Sequence, residues 1–161
     1  NRRLLMERLT HSLKLSARQE RINALLFLDL DKFKSLNDER GHAVGDLMLC
    51  EVAKRLLNCV RQTDTVARMG GDEFVVLLED AGASSSAARE QAERIGEKIL
   101  LSLQAPYQLG DVRHLSFASI GAVIIDDGNV SPDLPLQRAD KAMYHAKIEG
   151  GNRLRFHESA T

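Results

Sequence analysis

Two pairs of acidic residues lie beside short apolar runs, where their carboxylates could take part in metal chemistry. Asp72 and Glu73 directly follow a Gly-Gly pair between two apolar, β-branched runs, and Asp29 and Asp31 end an apolar run upstream. A Gly-Gly pair in this setting predicts a β-hairpin, because glycine accepts the positive φ of a two-residue turn. One acidic pair alone is typical of solvated surface charge, whereas two at strand ends can converge on a hard cation. We therefore expect a cation site built from both pairs.

Length and charge limit the classes of protein to which this chain can belong. Its 161 residues suit one domain with a sizeable core, and its formal net charge of -1 provides no basic surface for nucleic acid or membrane. The chain has no Trp and only 4% aromatic residues, which disfavours a platform for stacking bases. We expect no nucleic-acid partner and no membrane insertion by this domain, so phosphate chemistry would need a local site.

The cysteines and the chain start bear on the cellular setting. Cys50 and Cys59 fall on different faces of one predicted helix, which argues against a mutual disulfide and favours a reducing compartment. No apolar run approaches the ~20 residues that span a bilayer, and no signal peptide is recognisable. We expect a cytoplasmic domain, with tethering to the inner face of a membrane only through other segments. The start at Asn1, without Met, predicts a domain excised from a longer protein.

Hydrophobic periodicity predicts the elements that must position the acidic residues. Strands are expected over residues 22–30, in a hairpin over 65–78, over 113–125 and at an edge over 154–156. Helices are expected over 3–19, 31–40, 86–103 and 133–149, with one more carrying the apolar stripe Val44, Met48, Val52, Leu56 and Val60. The order predicts one α+β domain, with a central, mostly antiparallel sheet flanked by helices in a ferredoxin-like, split βαβ arrangement.

Several sequence blocks together resemble a known family. Residues 70–74 read Gly-Gly-Asp-Glu-Phe, and upstream stand Asp-Leu-Asp-Lys-Phe-Lys-Ser-Leu-Asn-Asp at 29–38, Gly-His at 41–42 and Gly-Asp at 45–46. Residues 139–147 resemble the family's C-terminal helix. The chain is similar to the GGDEF family, the catalytic domains of diguanylate cyclases. The resemblance extends over nearly the whole chain, so residues 1–161 are predicted to form one such domain. That resemblance implies a nucleotidyl-cyclase palm fold within a longer multidomain signalling protein.

The resemblance also implies a reaction. Two GTP molecules would condense to cyclic di-GMP plus two pyrophosphates at a transient antiparallel homodimer, with two Mg²⁺ (or Mn²⁺) ions in each active site. It implies Asp29, the Leu30 carbonyl, Asp72 and Glu73 as metal ligands, with Asp72 or Glu73 left to act as catalytic base. Which of these two carboxylates binds metal stays open here, and Asp29 could instead cap the following helix.

Two polar residues resemble the family's guanine readers. An amide at Asn37 and a carboxylate at Asp46 can pair with the acceptor and donor groups of guanine. Leaving these groups unpaired would penalise adenine. Taken alone, each residue would be typical of a helix boundary, with Asn37 near a C-terminus and Asp46 in a first turn.

The resemblance implies phosphate contacts from Phe33, Lys34, His42 and Lys147. Phe33 itself fits the core better, and His42 is equally compatible with a structural role. The chain departs from the family where Gly151 stands in place of an expected Arg. Because glycine offers phosphate only its backbone, the alternative is a catalytically weak module that binds GTP or cyclic di-GMP as a regulator.

An Arg-x-x-Asp sequence, Arg61 to Asp64, precedes the hairpin. In isolation this pattern is typical of an ion pair at the end of a helix. At this distance from the Gly-Gly pair it resembles the family's inhibitory site, which implies that cyclic di-GMP binds there as product inhibitor, with Arg61 on guanine or phosphate and Asp64 on the guanine N–H edge.

Overall fold

The computed structural model describes residues 1–158, so the last three residues of the predicted domain lie outside the described part. Its helices are α1 Arg2–Gln19, α2 Phe33–Arg40, α3 His42–Cys59, α4 Ser85–Gln104 and α5 Asp133–Ile148. Its strands are β1 Ile22–Leu30, β2 Thr65–Gly70, β3 Glu73–Gly82, β4 Tyr107–Leu109, β5 Val112–His114, β6 Ala118–Ile125 and β7 Arg153–Phe156.

A mixed five-stranded sheet with the order β2-β3-β1-β6-β7 forms the centre. All its pairings are antiparallel except β6 with β7, which confirms the predicted α+β architecture and the edge position of β7. Helices α1 and α5 cover one face of the sheet, and α2, α3 and α4 cover the other.

Strand β1 lies at the centre and is buried on both faces, as its nearly continuous apolar sequence predicts. Leu26 and Leu28 join the core beneath α2, α3 and α4, whereas Leu25 and Phe27 join the core beneath α1 and α5. Because side chains alternate along a strand, the next odd-numbered residue, Asp29, belongs to the α1 and α5 side. The alternation of side chains along β1 thus determines that the acidic site forms on the sheet face covered by α1 and α5.

The predicted hairpin is present as β2 and β3, with its turn one residue later than the Gly-Gly pair. Gly70 pairs with Glu73, so Gly71 and Asp72 form the two-residue loop. Gly71 has a φ of 52°, in the left-handed region that glycine adopts without strain. The Arg68 guanidinium braces the turn by donating from Nε to the Gly71 carbonyl at 2.9 Å.

The predicted strand over 113–125 is interrupted. Residues 112–114 instead pair with β4 in a separate two-stranded sheet, which the sequence analysis missed, and β6 begins only at residue 118. Between them, the Phe117 carbonyl accepts a hydrogen bond from Asp31 N at 2.8 Å, and Ser116 Oγ donates to the Asp31 carbonyl at 3.3 Å. These bonds join the linker to the end of β1 in place of strand pairing.

Two helix boundaries also differ from the predicted ones. Helix α2 begins at Phe33, because Lys32 has a left-handed φ of 63° that separates it from β1. Helix α3 ends at Cys59, so Val60, the last residue of the predicted stripe, has extended backbone outside the helix. Cys50 is exposed on α3 and Cys59 is buried, which agrees with the prediction that they lie on different faces.

Helix α5 lies unusually close to β6. A Cβ built on Gly121 would lie 2.8 Å from Met143 Cα, and closer still to Ala139 O and Met143 N. Only a residue without a side chain allows this approach. No helix in residues 1–158 is long and apolar enough to cross a membrane.

Candidate active site

The three predicted acidic ligands converge at one end of the sheet. Asp29 and Glu73 are directly opposite each other in the β1–β3 ladder, so their side chains emerge on the same face. Asp72 lies in the adjacent turn, and its carbonyl accepts a hydrogen bond from Leu30 N at 3.2 Å. The turn after Gly71 therefore carries Asp72 to the end of β1.

Lys147 covers this cluster from α5. Its Nζ lies 2.6 Å from Asp29 Oδ2, and the Asp29 side chain is only 13% exposed. The other carboxylate oxygen, Asp29 Oδ1, is buried and has no hydrogen-bond partner within residues 1–158. A buried acceptor without a partner costs about 1–3 kcal/mol, so Asp29 offers a free oxygen at a point where folding alone would not leave one.

The electrostatics of the cluster favour an added cation. Burial, followed by the interaction with the neighbouring Asp72 carboxyl, raises the pKa of Asp29 to about 7, although Lys147 opposes the rise. Burial and the charges of Asp140 and Asp72 raise the pKa of Glu73 above its usual range. Burial acts to lower the pKa of Lys147, but its hydrogen bond with Asp29 and the carboxylates around it raise that pKa overall. One ammonium group therefore does not balance the negative charge of this cluster.

The donor set fits a divalent cation that prefers oxygen. Carboxylates and backbone carbonyls are ligands that Mg²⁺ prefers, and Asp29 Oδ1 is a buried oxygen without a hydrogen-bond partner in the described part of the chain. The described residues contain no group of three or more His, Cys, Asp or Glu side chains already arranged around a cation. Lys147 Nζ occupies the approach to Asp29 Oδ2. A cation would therefore be held by the free Oδ1 of Asp29, with the neighbouring carboxylates of Asp72 and Glu73 as further oxygen ligands.

The two predicted guanine readers lie close together where α2 meets α3. Asn37 belongs to α2, and its carboxamide rests against Gly45, the residue that precedes Asp46 in α3. Asn37 Oδ1 is buried and has no hydrogen-bond partner among the described residues, whereas Asp46 is exposed. A half-buried amide thus lies beside an exposed carboxylate in one shallow region.

The predicted phosphate contacts divide between core and surface. Phe33 is 8% exposed and belongs to the core beneath α2, as expected for that residue. Lys34 in the first turn of α2 and His42 at the first residue of α3 are both exposed, so their side chains are accessible to an anion. Lys147 contacts the acidic cluster, as described above.

Asp31 connects the site to the segment after α5, a role that the sequence analysis missed. Its Oδ1 accepts a hydrogen bond from Ser119 Oγ at 3.0 Å, and its Oδ2 accepts one from Asn152 N at 3.3 Å. Gly151 has a left-handed φ of 73°, and a Cβ there would lie 2.7 Å from Asp31 Oδ2. Arg153 Nε donates to the Gly151 carbonyl at 3.0 Å. The position that departs from the family pattern is thus buried against the Asp31 carboxylate.

Arg61 and Asp64 pair with each other at the end of α3. Asp64 accepts hydrogen bonds from Arg61 N at 2.9 Å and from Glu79 N at 3.3 Å, and its side chain is 1% exposed. Arg61 Nη2 lies 3.2 Å from Asp64 Oδ1 and donates to the Glu79 carbonyl at 2.6 Å. The Arg61 side chain is 48% exposed, so it is the member of the pair that a ligand can reach.

Comparison with known proteins gives consistent matches in sequence. The family model described as diguanylate cyclase, GGDEF domain, matches residues 1–153. The bifunctional diguanylate cyclase/cyclic di-GMP phosphodiesterase MucR of Pseudomonas aeruginosa is 44% identical, over 99% of this chain and 22% of that protein. Diguanylate cyclase TpbB of the same species is 38% identical, over 96% of this chain and 35% of that protein. The chain therefore spans only a minor part of these relatives.

Solved structures agree. The crystal structure of the GGDEF domain of TpbB (YfiN) from P. aeruginosa superposes with a TM-score of 0.89 and 37% identity, covering 99% of this chain and 97% of that one. The GGDEF domain of DgcB from Caulobacter crescentus, solved in complex with c-di-GMP, has a TM-score of 0.82 and 26% identity, covering 99% and 91%. The chain belongs to the GGDEF domain family of diguanylate cyclases.

Proposed function

We propose that this chain is an active diguanylate cyclase domain that converts two GTP into cyclic di-GMP and two pyrophosphates. The observation that carries the proposal is that Asp29, Asp72 and Glu73 lie at the same end of the sheet, with a buried Asp29 oxygen that has no hydrogen-bond partner among residues 1–158. Folding stability gives no reason to bury that oxygen without a partner, whereas a nucleotide site that uses divalent cations does. Similarity to relatives named diguanylate cyclase supports the same reaction.

Each domain would bind one GTP, with its base at Asn37 and Asp46 and its triphosphate near Lys34, His42 and Lys147. The exposed carboxylate can accept from the adjacent N1–H and N2–H groups of guanine, a pair of donors that adenine lacks, and the half-buried amide can donate to a guanine acceptor. The basic side chains would hold the triphosphate in place. Lys147 contacts Asp29 in the free domain, so we propose that it leaves Asp29 and binds phosphate when substrate binds.

The reaction joins the 3′-hydroxyl oxygen of one GTP to the α-phosphorus of the other, and the bond to pyrophosphate breaks. Because each GTP must attack the other, two domains would meet in an antiparallel homodimer, each supplying one loaded site. Asp72 or Glu73 takes the proton from the hydroxyl. Asp29, the Leu30 carbonyl and these carboxylates would hold two Mg²⁺ or Mn²⁺ ions, whose contribution when bound is to neutralise triphosphate charge.

Product inhibition through Arg61 and Asp64 is part of the proposal. The exposed Arg61 fork can bind guanine or phosphate acceptors, and Asp64 can accept from a guanine N–H. In the free domain, however, both side chains already bond to each other and to the Glu79 backbone. Cyclic di-GMP would therefore displace existing bonds, and Arg61→Ala should raise the product concentration that halves activity.

We place the domain in the cytoplasm, where GTP is available, as one part of a longer signalling protein that could hold it at the inner face of a membrane. The relatives' greater length supports the view that the domain is one part of a longer protein, since this chain covers 22% of MucR and 35% of TpbB.

The test is cyclic di-GMP formation from GTP and Mg²⁺ across a series of protein concentrations. Activity should rise more than linearly with protein, because the active unit is a dimer, and Asp72→Ala should abolish it. Asp111→Ala, in the exposed turn between β4 and β5, is the matched control and should retain activity. Saturable GTP binding without product would instead identify a regulatory module.

A further inference from the structure

The contact between Asn37 and Gly45 leaves no room for a side chain on α3. A Cβ built on Gly45 would overlap Asn37 Oδ1, and it would lie 2.9 Å from Asn37 Cγ and 3.3 Å from Phe33 Cζ. Phe33 is a core residue, so it cannot retreat without disturbing the packing beneath α2. The carboxamide of Asn37 therefore fills the volume that any side chain at position 45 would take.

This contact also sets the direction of the amide. Of the two polar atoms of the carboxamide, it is Oδ1 that faces Gly45 and is buried without a hydrogen-bond partner in residues 1–158. Because a carboxamide is planar, an oxygen turned toward α3 turns Nδ2 away from it. The group thus presents a donor, and only a donor, to whatever binds outside.

Glycine is otherwise a poor choice at this position. Gly45 lies in the first turn of α3, is buried, and does not belong to the residues with positive φ. Alanine is the better helix former there, since glycine loses more conformational freedom on folding. Neither helix geometry nor turn chemistry requires glycine, which leaves the space for Asn37 as the physical reason.

We infer that Gly45 is a positioning residue for base specificity. Because Gly45 has no side chain, the Asn37 carboxamide fits against α3 with its Nδ2 directed toward the base, beside the Asp46 carboxylate. This inference rests on the proposed function, because it takes guanine as the ligand of Asn37. A Cβ at position 45 forces the amide out of this position and removes the fixed donor.

The test compares GTP and ATP binding to the whole domain by calorimetry, together with KM and kcat for GTP. Gly45→Ala should weaken GTP binding by about tenfold, the value of one hydrogen bond to a base, and leave ATP binding nearly unchanged. KM should rise while kcat changes little, because the base lies away from the reacting atoms. A fall in kcat alone, with the preference for GTP intact, would overturn the inference.

A double-mutant cycle separates positioning from a general effect on folding. In an Asn37→Ala background the amide is absent, so Gly45→Ala should cause no further loss of GTP affinity. The matched control is Gly96→Ala in α4, where the new Cβ would lie 2.9 Å from Leu154 Cδ2, a side chain in the core. That variant should keep the full preference for GTP over ATP.

The outcomes distinguish the two proposals. If Asn37→Ala leaves GTP affinity unchanged, the assignment of the base site in the proposed function is wrong. If Asn37→Ala weakens GTP binding while Gly45→Ala does not, or if the two losses simply add, the positioning role of Gly45 is refuted. Unfolding midpoints show whether Gly45→Ala folds. If it does not, Gly45→Ser combined with Asn37→Ala must have a higher unfolding midpoint than Gly45→Ser alone, because removing the amide makes room for the new side chain. An equal or lower midpoint would refute the claim that the two side chains compete for one volume.

Discussion

Replacing Gly121 by alanine tests whether the close approach of α5 to β6 holds the active site together. The new Cβ would lie 2.8 Å from Met143 Cα, whereas carbon atoms pack best at about 3.5–4.0 Å. The nearest atoms are backbone, including Ala139 O, and they cannot rotate away. The helix must therefore retreat by about 1 Å. Overpacking of this kind costs about 1–3 kcal/mol, and a 1 Å misplacement of a catalytic group can cost about 100-fold in rate.

The assay is thermal unfolding of the isolated domain together with cyclic di-GMP formation. The cost should lower the melting temperature by roughly 2–12 °C, and turnover should fall about 100-fold because α5 carries Lys147 over Asp29. Gly96→Ala is the control, since its new Cβ meets only the flexible end of Leu154 and turnover should be unaffected. Wild-type stability and turnover in Gly121→Ala would refute the reasoning that this contact sets the position of Lys147.

Three further predictions concern Lys147, Asp31 and the two cysteines. Lys147→Met should fold normally and bind GTP about tenfold more weakly by calorimetry, because a charged phosphate contact is lost; unchanged affinity would contradict this. Asp31→Ala should lower the free energy of unfolding in urea by about 1–3 kcal/mol, with the exposed Asp38→Ala as control, because Ser119 and the turn after α5 lose their shared acceptor. Ellman's reagent should label one thiol in the native domain, exposed Cys50, and two after denaturation, because Cys59 is buried and burial raises its pKa. Two labelled thiols in the native state would count against the burial of Cys59.

Much of the fold follows from sequence period, and its failures have local causes. The apolar run of β1 and the stripes of α1 and α4 are long enough to identify their elements. The β4–β5 pair is missed because strands of three residues are too short to display a period. The break before Ala118 is missed because alternation continues through Phe117, whose carbonyl bonds to Asp31 instead of a neighbouring strand.

The site divides in the same way. The motif identifies which carboxylates belong together, and the β1–β3 register explains why Asp29 and Glu73 share a face. The bond from Asn152 N to Asp31 joins residues that are 121 positions apart, and no local pattern encodes it. The contact between Gly45 and Asn37 could not be predicted either, since a glycine in a helix does not reveal which neighbouring side chain fills the space beside it.

The bonding of Asp64 has a consequence for comparing related sequences. Its carboxylate is buried and accepts from the backbone of both Arg61 and Glu79, so it fastens the end of α3 to β3 whether or not any ligand binds. Selection for folding alone would preserve such a pair after inhibition had been lost. The presence of Arg-x-x-Asp in a related sequence therefore indicates that this structural contact is kept. Product inhibition has to be established separately, by measuring how activity responds to product.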